Sequence, residues 1–393
     1  MSSFSQLRFI NAGHFLCHYF LLIFPTAVIA IQADWQLEYG QALAYGTAGV
    51  VAFAIGTPLA GWLGDRWSRR GMMAIFLVGI GLGGIVTGLA DEPIGLMVGL
   101  AAIGFFAAIY HPVGLAMVTD LSDRPGRALA VNGVAGNFGL AGAALATGWI
   151  SDLWSWHMAF IAPGVVSIAV GLLYLATAYR ATAAGGGRKG VDAPVVASRA
   201  VQIRVVAAIA LFALFGGLIF NAVTNSLPKL FEERLTDIAS NLSEVGEFTA
   251  LVFAIAAFAQ LPVGVLLARF GARILLIELF SIELGLFLLI ANASGAIVLP
   301  LAVGLVLMLF AELPVTAWLL GRFVSSAWRA RAYSAEYMVS LGISSAAIPI
   351  IAYLHYNGFG FDSQYLMLAG CVAVALMGAF MLPGRTAIVP ATA

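Results

Sequence analysis

"GWLGDRWSRR", Gly61 to Arg70, is a polar and basic island between two apolar runs, the second beginning "GMMAIFLVGIGLGG" at Gly71. A helix needs about 20 apolar residues to cross the hydrocarbon core of a bilayer. The run before the island (41–64) and the run after it (71–90) both reach that length, so the island reads as a tight loop joining two membrane spans. Working outward, runs of similar length fall at 9–32, 94–118, 127–150 and 158–178, then at 205–228, 246–268, 273–292, 297–320, 332–354 and 364–383. The pattern is six spans, a break, and six more.

The rest of the composition agrees. Of 393 residues, 62% are hydrophobic and 10% charged, with a mean hydropathy of +0.99. A soluble globular domain does not have this composition. The formal net charge is zero, which offers no electrostatic footprint for nucleic acid. Cys17 and Cys371 both lie in apolar runs, outside any disulfide framework. The first apolar run follows a short lead containing Arg8 and has no small-residue cleavage site, so it reads as a retained span. The expected fold is an all-α membrane protein of twelve transmembrane helices in two six-helix bundles. Residues 1–180 form the first bundle, 181–204 a cytoplasmic linker rich in glycine, alanine and basic residues, and 205–393 the second bundle. With both termini placed in the cytoplasm, all the basic residues except Lys229 and Arg234 fall on the inner side. This is the bias that the positive-inside rule demands. Asp34, Glu38, Asp91, Glu92, Asp152 and Asp362 then gather outside.

The island resembles the signature loop of the major facilitator superfamily, G-x-L-x-D-R-x-G-R-R. Gly61, Leu63, Asp65, Arg66, Arg69 and Arg70 match, and Ser68 stands where the second glycine is usual. The resemblance implies a conformational latch made by Gly61, Asp65, Arg66, Arg69 and Arg70. Gly61 would permit close helix approach, and Asp65 would pair with a cation or a helix N-terminus. The equivalent place in the second half, "GVLLARFGARILL" from Gly264, has Ala268 in the acidic position, so a second latch is weakened. Internal duplication also appears elsewhere. "FFAAIYHPVGLAM" sets Tyr110, His111 and Pro112 against Glu312, Leu313 and Pro314, and aligning Pro25 with Pro228 sets His18 against Asn221. The fifth run, "VNGVAGNFGLAGAALATGWI", resembles the glycine-rich helix of antiporters in the same superfamily, with Asn137 in the usual proline position.

Ionisable groups at membrane depth are costly unless partnered or hydrated, so each is a candidate for function. In the fold that the resemblance implies, spans 1, 4, 7 and 10 face a central cavity. They carry His14, His18 and Tyr19; Tyr110 and His111; Asn221 and Asn225; and Glu312 and Trp318. His14 and His18, four residues apart, share a helix face. The expectation is that the histidines hydrogen-bond substrate, that Glu312 or a histidine carries a coupling proton, and that the asparagines and Trp318 shape recognition. Glu283, on an outward span, is expected to be structural. Arg331 and Glu336 form a candidate gate, and His157 and His355 fall near span ends, where water would solvate them. Two histidines at i and i+4 with Cys17 nearby can chelate a soft ion. The H-E-x-x-H pattern is absent, and the aromatic and amide residues favour an organic solute, so no metal and no cofactor is assigned.

No P-loop, nucleophile elbow or dinucleotide fingerprint occurs, which leaves an enzyme without support. The sequence therefore reads as a secondary transporter, a monomer in the bacterial inner membrane, with a small molecule, protons and lipid as its partners. "GHFLCHYFLLIFP" and "IYHPVG" are similar to a bacterial branch of the superfamily that includes riboflavin importers, copper importers and fosmidomycin-resistance-type efflux carriers. A ring-bearing solute such as riboflavin is the favoured cargo, with export of a toxic compound second and copper import third. A rival of another class is a non-transporting membrane sensor or scaffold.

Overall fold

A computed structural model describes residues 3–122, 125–177, 198–323, 336, 339–340 and 342–384. Among them every regular element is a helix. In chain order these are α1 (Ser3–Asp34), α2 (Tyr39–Ala44), α3 (Thr47–Arg66), α4 (Arg69–Gly88), α5 (Pro93–Ala107), α6 (Tyr110–Leu121), α7 (Pro125–Leu153) and α8 (Trp156–Thr177). Then follow α9 (Arg199–Arg234), α10 (Leu242–Ala256), α11 (Gln260–Phe270), α12 (Ala272–Ala291), α13 (Val298–Phe323), α14 (Ala347–Tyr356) and α15 (Phe361–Met381). Eleven helical stretches among the described residues are long and apolar enough to cross a membrane. The expected run at 332–354 lies partly outside the described residues, and its end is α14.

Prolines explain why some spans are two helices. A proline cannot donate to the ladder, and its ring crowds the carbonyl four residues earlier. Pro112, Pro262 and Pro349 each follow a turn at that distance, at residues 108–109, 257–259 and 345–346. These turns separate α5 from α6, α10 from α11, and the helical residues before 345 from α14.

The residues group into two compact units, one of Met1–Arg188 with Thr224–Ala254 and Ile348–Gly358, the other of Lys189–Val223, Ile255–Ala347 and Phe359–Ala393. In lipid, where apolar contact with acyl chains costs nothing, helices associate through small residues that let backbones approach. The first unit follows this rule. A Cβ on Gly81 would lie 2.6 Å from the Gly164 carbonyl oxygen, and one on Gly164 would lie 2.8 Å from that of Gly81. The α4 stretch "GIGLGG" thus seats α8 on one side, while Gly83 meets Ile103 of α5 on another. On α8, Phe160, Gly164, Ser167, Gly171 and Tyr174 are buried, whereas Val165, Val166, Leu172 and Leu173 are exposed on the face left for lipid.

Within the same unit, second-half segments pack on first-half helices at the ends bearing the acidic loops. A Cβ on Gly148 (α7) would lie 2.5 Å from the Leu242 carbonyl oxygen of α10, and one on Gly246 would lie 2.5 Å from that of Ala144. Asp152 accepts hydrogen bonds from the Ser243 backbone N–H at 2.6 Å and from its hydroxyl at 2.5 Å, which puts a carboxylate on the N-terminus of α10, where the helix dipole favours it. Trp149 Nε1 donates to Glu247 at 3.0 Å. Gly40 of α2 gives similar close access to α14, where an added Cβ would come within 2.6 Å of the Ala352 carbonyl oxygen.

Candidate functional site

The loop that opened the sequence reading is an ion-pair bracket. Arg69 donates to Asp65 at 2.8 Å and to Asp120, at the end of α6, at 2.6 Å. Asp65 thus finds its cation four residues away on the facing helix start. Asp120, absent from the motif, is the second anchor. Arg66 lies 5.2 Å over the Trp62 ring, and Arg70 sits beside Arg69 in the first turn of α4. Ser68 has an extended backbone (φ −162°) and accepts from the Gly71 N–H at 3.0 Å. No left-handed residue is needed there, so a serine that caps α4 replaces the usual glycine at a gain in helix stability. The expected close approach at Gly61 falls instead at Gly64. A Cβ on Gly61 would meet Pro112 at an ordinary 3.6 Å, while one on Gly64 would lie 2.8 Å from Val113.

The histidines of α1 and α6 meet in the first unit. The His14 ring stacks on Tyr110 (centroids 4.7 Å, interplanar 17°) and presents an edge to His18 at 4.6 Å and to His111 at 5.5 Å. His18 and His111 are 5.6 Å apart by centroid. One ring nitrogen from each of the three lies within 4.8 Å of the other two. The cluster exists because α7 is glycine-rich where it crosses α1. A Cβ on Gly136 would lie 2.7 Å from His14 Nε2, and one on Gly142 would lie 2.8 Å from Phe15. The glycines read as an antiporter feature are, in this fold, the room in which the imidazoles sit.

Hydrogen bonds then fix the ring orientation. His14 Nδ1 lies 2.7 Å from the Asn132 carbonyl oxygen. A carbonyl only accepts, so Nδ1 carries the proton, and the buried Nε2 is without a hydrogen-bond partner. His18 Nδ1 is likewise buried without a hydrogen-bond partner. Asn132 Nδ2 donates to Asn11 at 2.9 Å and to the Tyr110 hydroxyl at 2.8 Å, and that hydroxyl donates to the Ile10 carbonyl at 3.0 Å. Tyr110 is fully buried, and its hydroxyl is committed on both sides, so it supports the cluster through its ring. Tyr19 lies apart, packed on Phe15 at 5.8 Å. Asn11 and Asn132 were passed over as site residues. The signal for Asn11 was its place three residues before His14 on the face shared with His18. Asn132 carries no comparable mark in the sequence.

On α9, Asn221 donates to the Gly217 carbonyl at 3.4 Å and is half-buried, and Asn225 is buried one turn on. In the second unit Glu312 of α13 is 6% exposed and Glu283 of α12 is 1% exposed. Both oxygens of Glu283 and Oε2 of Glu312 are buried without hydrogen-bond partners, and the two carboxyl groups are close enough to interact electrostatically. Among the described residues no hydrogen-bond donor meets the Glu283 carboxyl group. Trp318 lies further along α13, lining a cleft of about 630 Å³ with Arg273 and Arg322. Glu336 is half-buried, and Arg331, its expected gate partner, lies outside the described residues. His157 is not left to solvent: its Nδ1 lies 3.0 Å from the Gly88 carbonyl oxygen, to which it donates, and its ring stacks on Trp156 at 3.7 Å. His355 sets its edge against Tyr39 at 5.0 Å.

Bilayer-length apolar helices among the described residues, with small residues at their contacts and unpartnered polar groups buried between them, define a polytopic membrane protein. The sequence profile of the Major Facilitator Superfamily matches residues 10–237, and the chain belongs to that superfamily. It is 33% identical over 122 residues to puromycin resistance protein pur8 of Streptomyces alboniger, a match covering 30% of this chain and 24% of that protein. It is 26% identical over 159 residues to a multidrug resistance protein B homolog of Mycobacterium tuberculosis, covering 39% and 29%. The chain spans 24–38% of the length of the curated relatives it matches. The crystal structure of a D-xylose-proton symporter has a TM-score of 0.78 to it at 15% identity, over 98% of this chain and 99% of that one. At that identity the likeness speaks for the fold.

Proposed function

We propose that the protein is a proton-coupled secondary transporter that carries a small ring-bearing organic solute across the bacterial inner membrane by alternating access. Residues 1–180 and 205–393 act as rocking bundles joined by 181–204, with both termini cytoplasmic, and the transporter works as a monomer. The observation that carries this reading is the imidazole cluster of His14, His18 and His111, whose clustered ring nitrogens and aromatic neighbours suit a planar, hydrogen-bonding solute. Asn221 and Asn225 of α9 and Trp318 of α13 are assigned to solute recognition in this reading. Glu312 carries the proton and Glu283 shares it, because two ionised carboxylates without donors at this depth would cost several kcal/mol.

The Arg69 bracket with Asp65 and Asp120 holds the cytoplasmic ends of α3, α4 and α6 together during the cycle. In this reading the Asp152–Ser243 contact is a closing contact of the periplasmic end. Purified protein in proteoliposomes with an imposed pH gradient provides the test, with riboflavin as the first solute. Gradient-driven uptake is expected, with Glu312→Gln abolishing accumulation while solute exchange persists. Absence of movement for riboflavin and a panel of ring compounds, together with no effect of Glu312→Gln on any proton flux, refutes it. The names of the puromycin- and multidrug-resistance relatives support a second reading, export of a toxic compound. Net solute movement against, rather than with, the proton flow would establish it.

A further inference from the structure

We propose that His14, His18 and His111 form a three-imidazole site for a divalent transition-metal ion of the zinc type, whatever solute the protein carries. The donor geometry leads to this. Histidines that ligate metals characteristically donate their second ring N–H to a carbonyl or carboxylate, which fixes the tautomer and aims the lone pair. One of the α1 histidines is arranged in this way. His14 is anchored by the Asn132 carbonyl through Nδ1 and leaves Nε2 open. His18 contributes a buried Nδ1 that has no hydrogen-bond partner. His111 is the third residue, and one ring nitrogen from each of the three histidines lies within 4.8 Å of the other two.

Zinc-bound nitrogens at about 2.0–2.1 Å stand about 3.4 Å apart in a tetrahedron. Small ring rotations close the difference, most readily at His111, which follows the break between α5 and α6.

The donor set also selects the ion. Three imidazoles with no carboxylate oxygen do not suit magnesium or calcium, whereas imidazole suits zinc and its neighbours. Cys17 does not join, because its thiol is directed to the Ala107 carbonyl at 3.6 Å. Three protein ligands leave the fourth position open, and His18 and His111 are half-buried rather than buried. Because three neutral ligands leave both charges of the ion uncompensated in a low-dielectric setting, the fourth ligand is anionic, a hydroxide or an acidic donor atom of a solute.

The test uses the full chain in detergent, purified without a polyhistidine tag, stripped by chelator and titrated with zinc(II), then with cobalt(II) as a spectroscopic substitute. One ion per chain is expected, with cobalt giving the intense visible bands of a tetrahedral nitrogen site. His14→Gln, His18→Gln and His111→Gln should each weaken binding by about a hundredfold, while His157→Gln and His355→Gln leave it unchanged. Monodispersity and thermal unfolding separate a lost ligand from a lost fold. If a variant misfolds, the cobalt spectrum of the unaltered protein still decides between tetrahedral nitrogen ligation and adventitious octahedral binding. No bound zinc, octahedral cobalt, or undiminished affinity in the triple variant overturns the proposal. Bound zinc without any solute movement would overturn the transport reading and leave this one standing.

Discussion

Gly136→Ala tests the link between helix packing and the imidazole cluster. The added Cβ would lie 2.7 Å from both Cε1 and Nε2 of His14. Ordinary contact is about 3.5 Å, so the ring must retreat by about 0.8 Å. Its Nδ1 bond to the Asn132 carbonyl is 2.7 Å and would open to about 3.5 Å, past useful hydrogen bonding. Overpacking of this kind costs about 1–3 kcal/mol and the lost bond about 1 kcal/mol more. Alanine's better helix propensity returns about 1 kcal/mol, leaving a net loss of about 1–3 kcal/mol. The assay is thermal unfolding in detergent, read in a double-mutant cycle with His14→Ala. With the imidazole removed the clash is gone, and Gly136→Ala should become neutral or stabilising. Nitrogen-15 spectra of the histidines add an independent check, since the His14 Nδ1–H tautomer should lose its fixed environment. Equal effects of Gly136→Ala in both backgrounds, or none in either, would refute the reasoning.

Two further outcomes follow from local contacts. Ser68→Ala removes the cap on α4 and should cost about 1 kcal/mol, whereas Ser68→Gly should cost only a few tenths; comparison of their unfolding midpoints checks the order. Asp152→Ala removes both bonds to Ser243 and should favour the state in which α7 and α10 separate. A single cysteine placed at the buried Ala144 should then label faster than it does beside the native Asp152, and unchanged labelling counts against a closing role.

Much of this protein was legible in its sequence because lipid imposes a strict rule: every spanning backbone must satisfy itself, and a helix does so within one segment. Run length therefore translated directly into spans. Three of the helix breaks, before Pro112, Pro262 and Pro349, were also local, each lying at the carbonyl four residues before a proline. The polar residues of the site were visible for the same reason, since a histidine or glutamate in an apolar run stands out. Their roles were less visible. Glu283 was assigned by its span's expected outward position, and only its burial without a donor beside Glu312 marked it as an unsatisfied group. Asp120 lay outside the signature loop and came to Arg69 through the fold.

The sequence alone determined that this chain spans a membrane many times, where its basic loops lie, and which few residues could bear chemistry, because hydrophobic length and charge placement are local quantities. Tertiary structure decided what those residues can do. His14 has a free Nε2 only because the carbonyl of Asn132, 118 positions away, holds its other nitrogen and because Gly136 has no side chain. A ring's tautomer and the direction of its lone pair depend on neighbours brought together by helix packing, and no pattern within α1 records them.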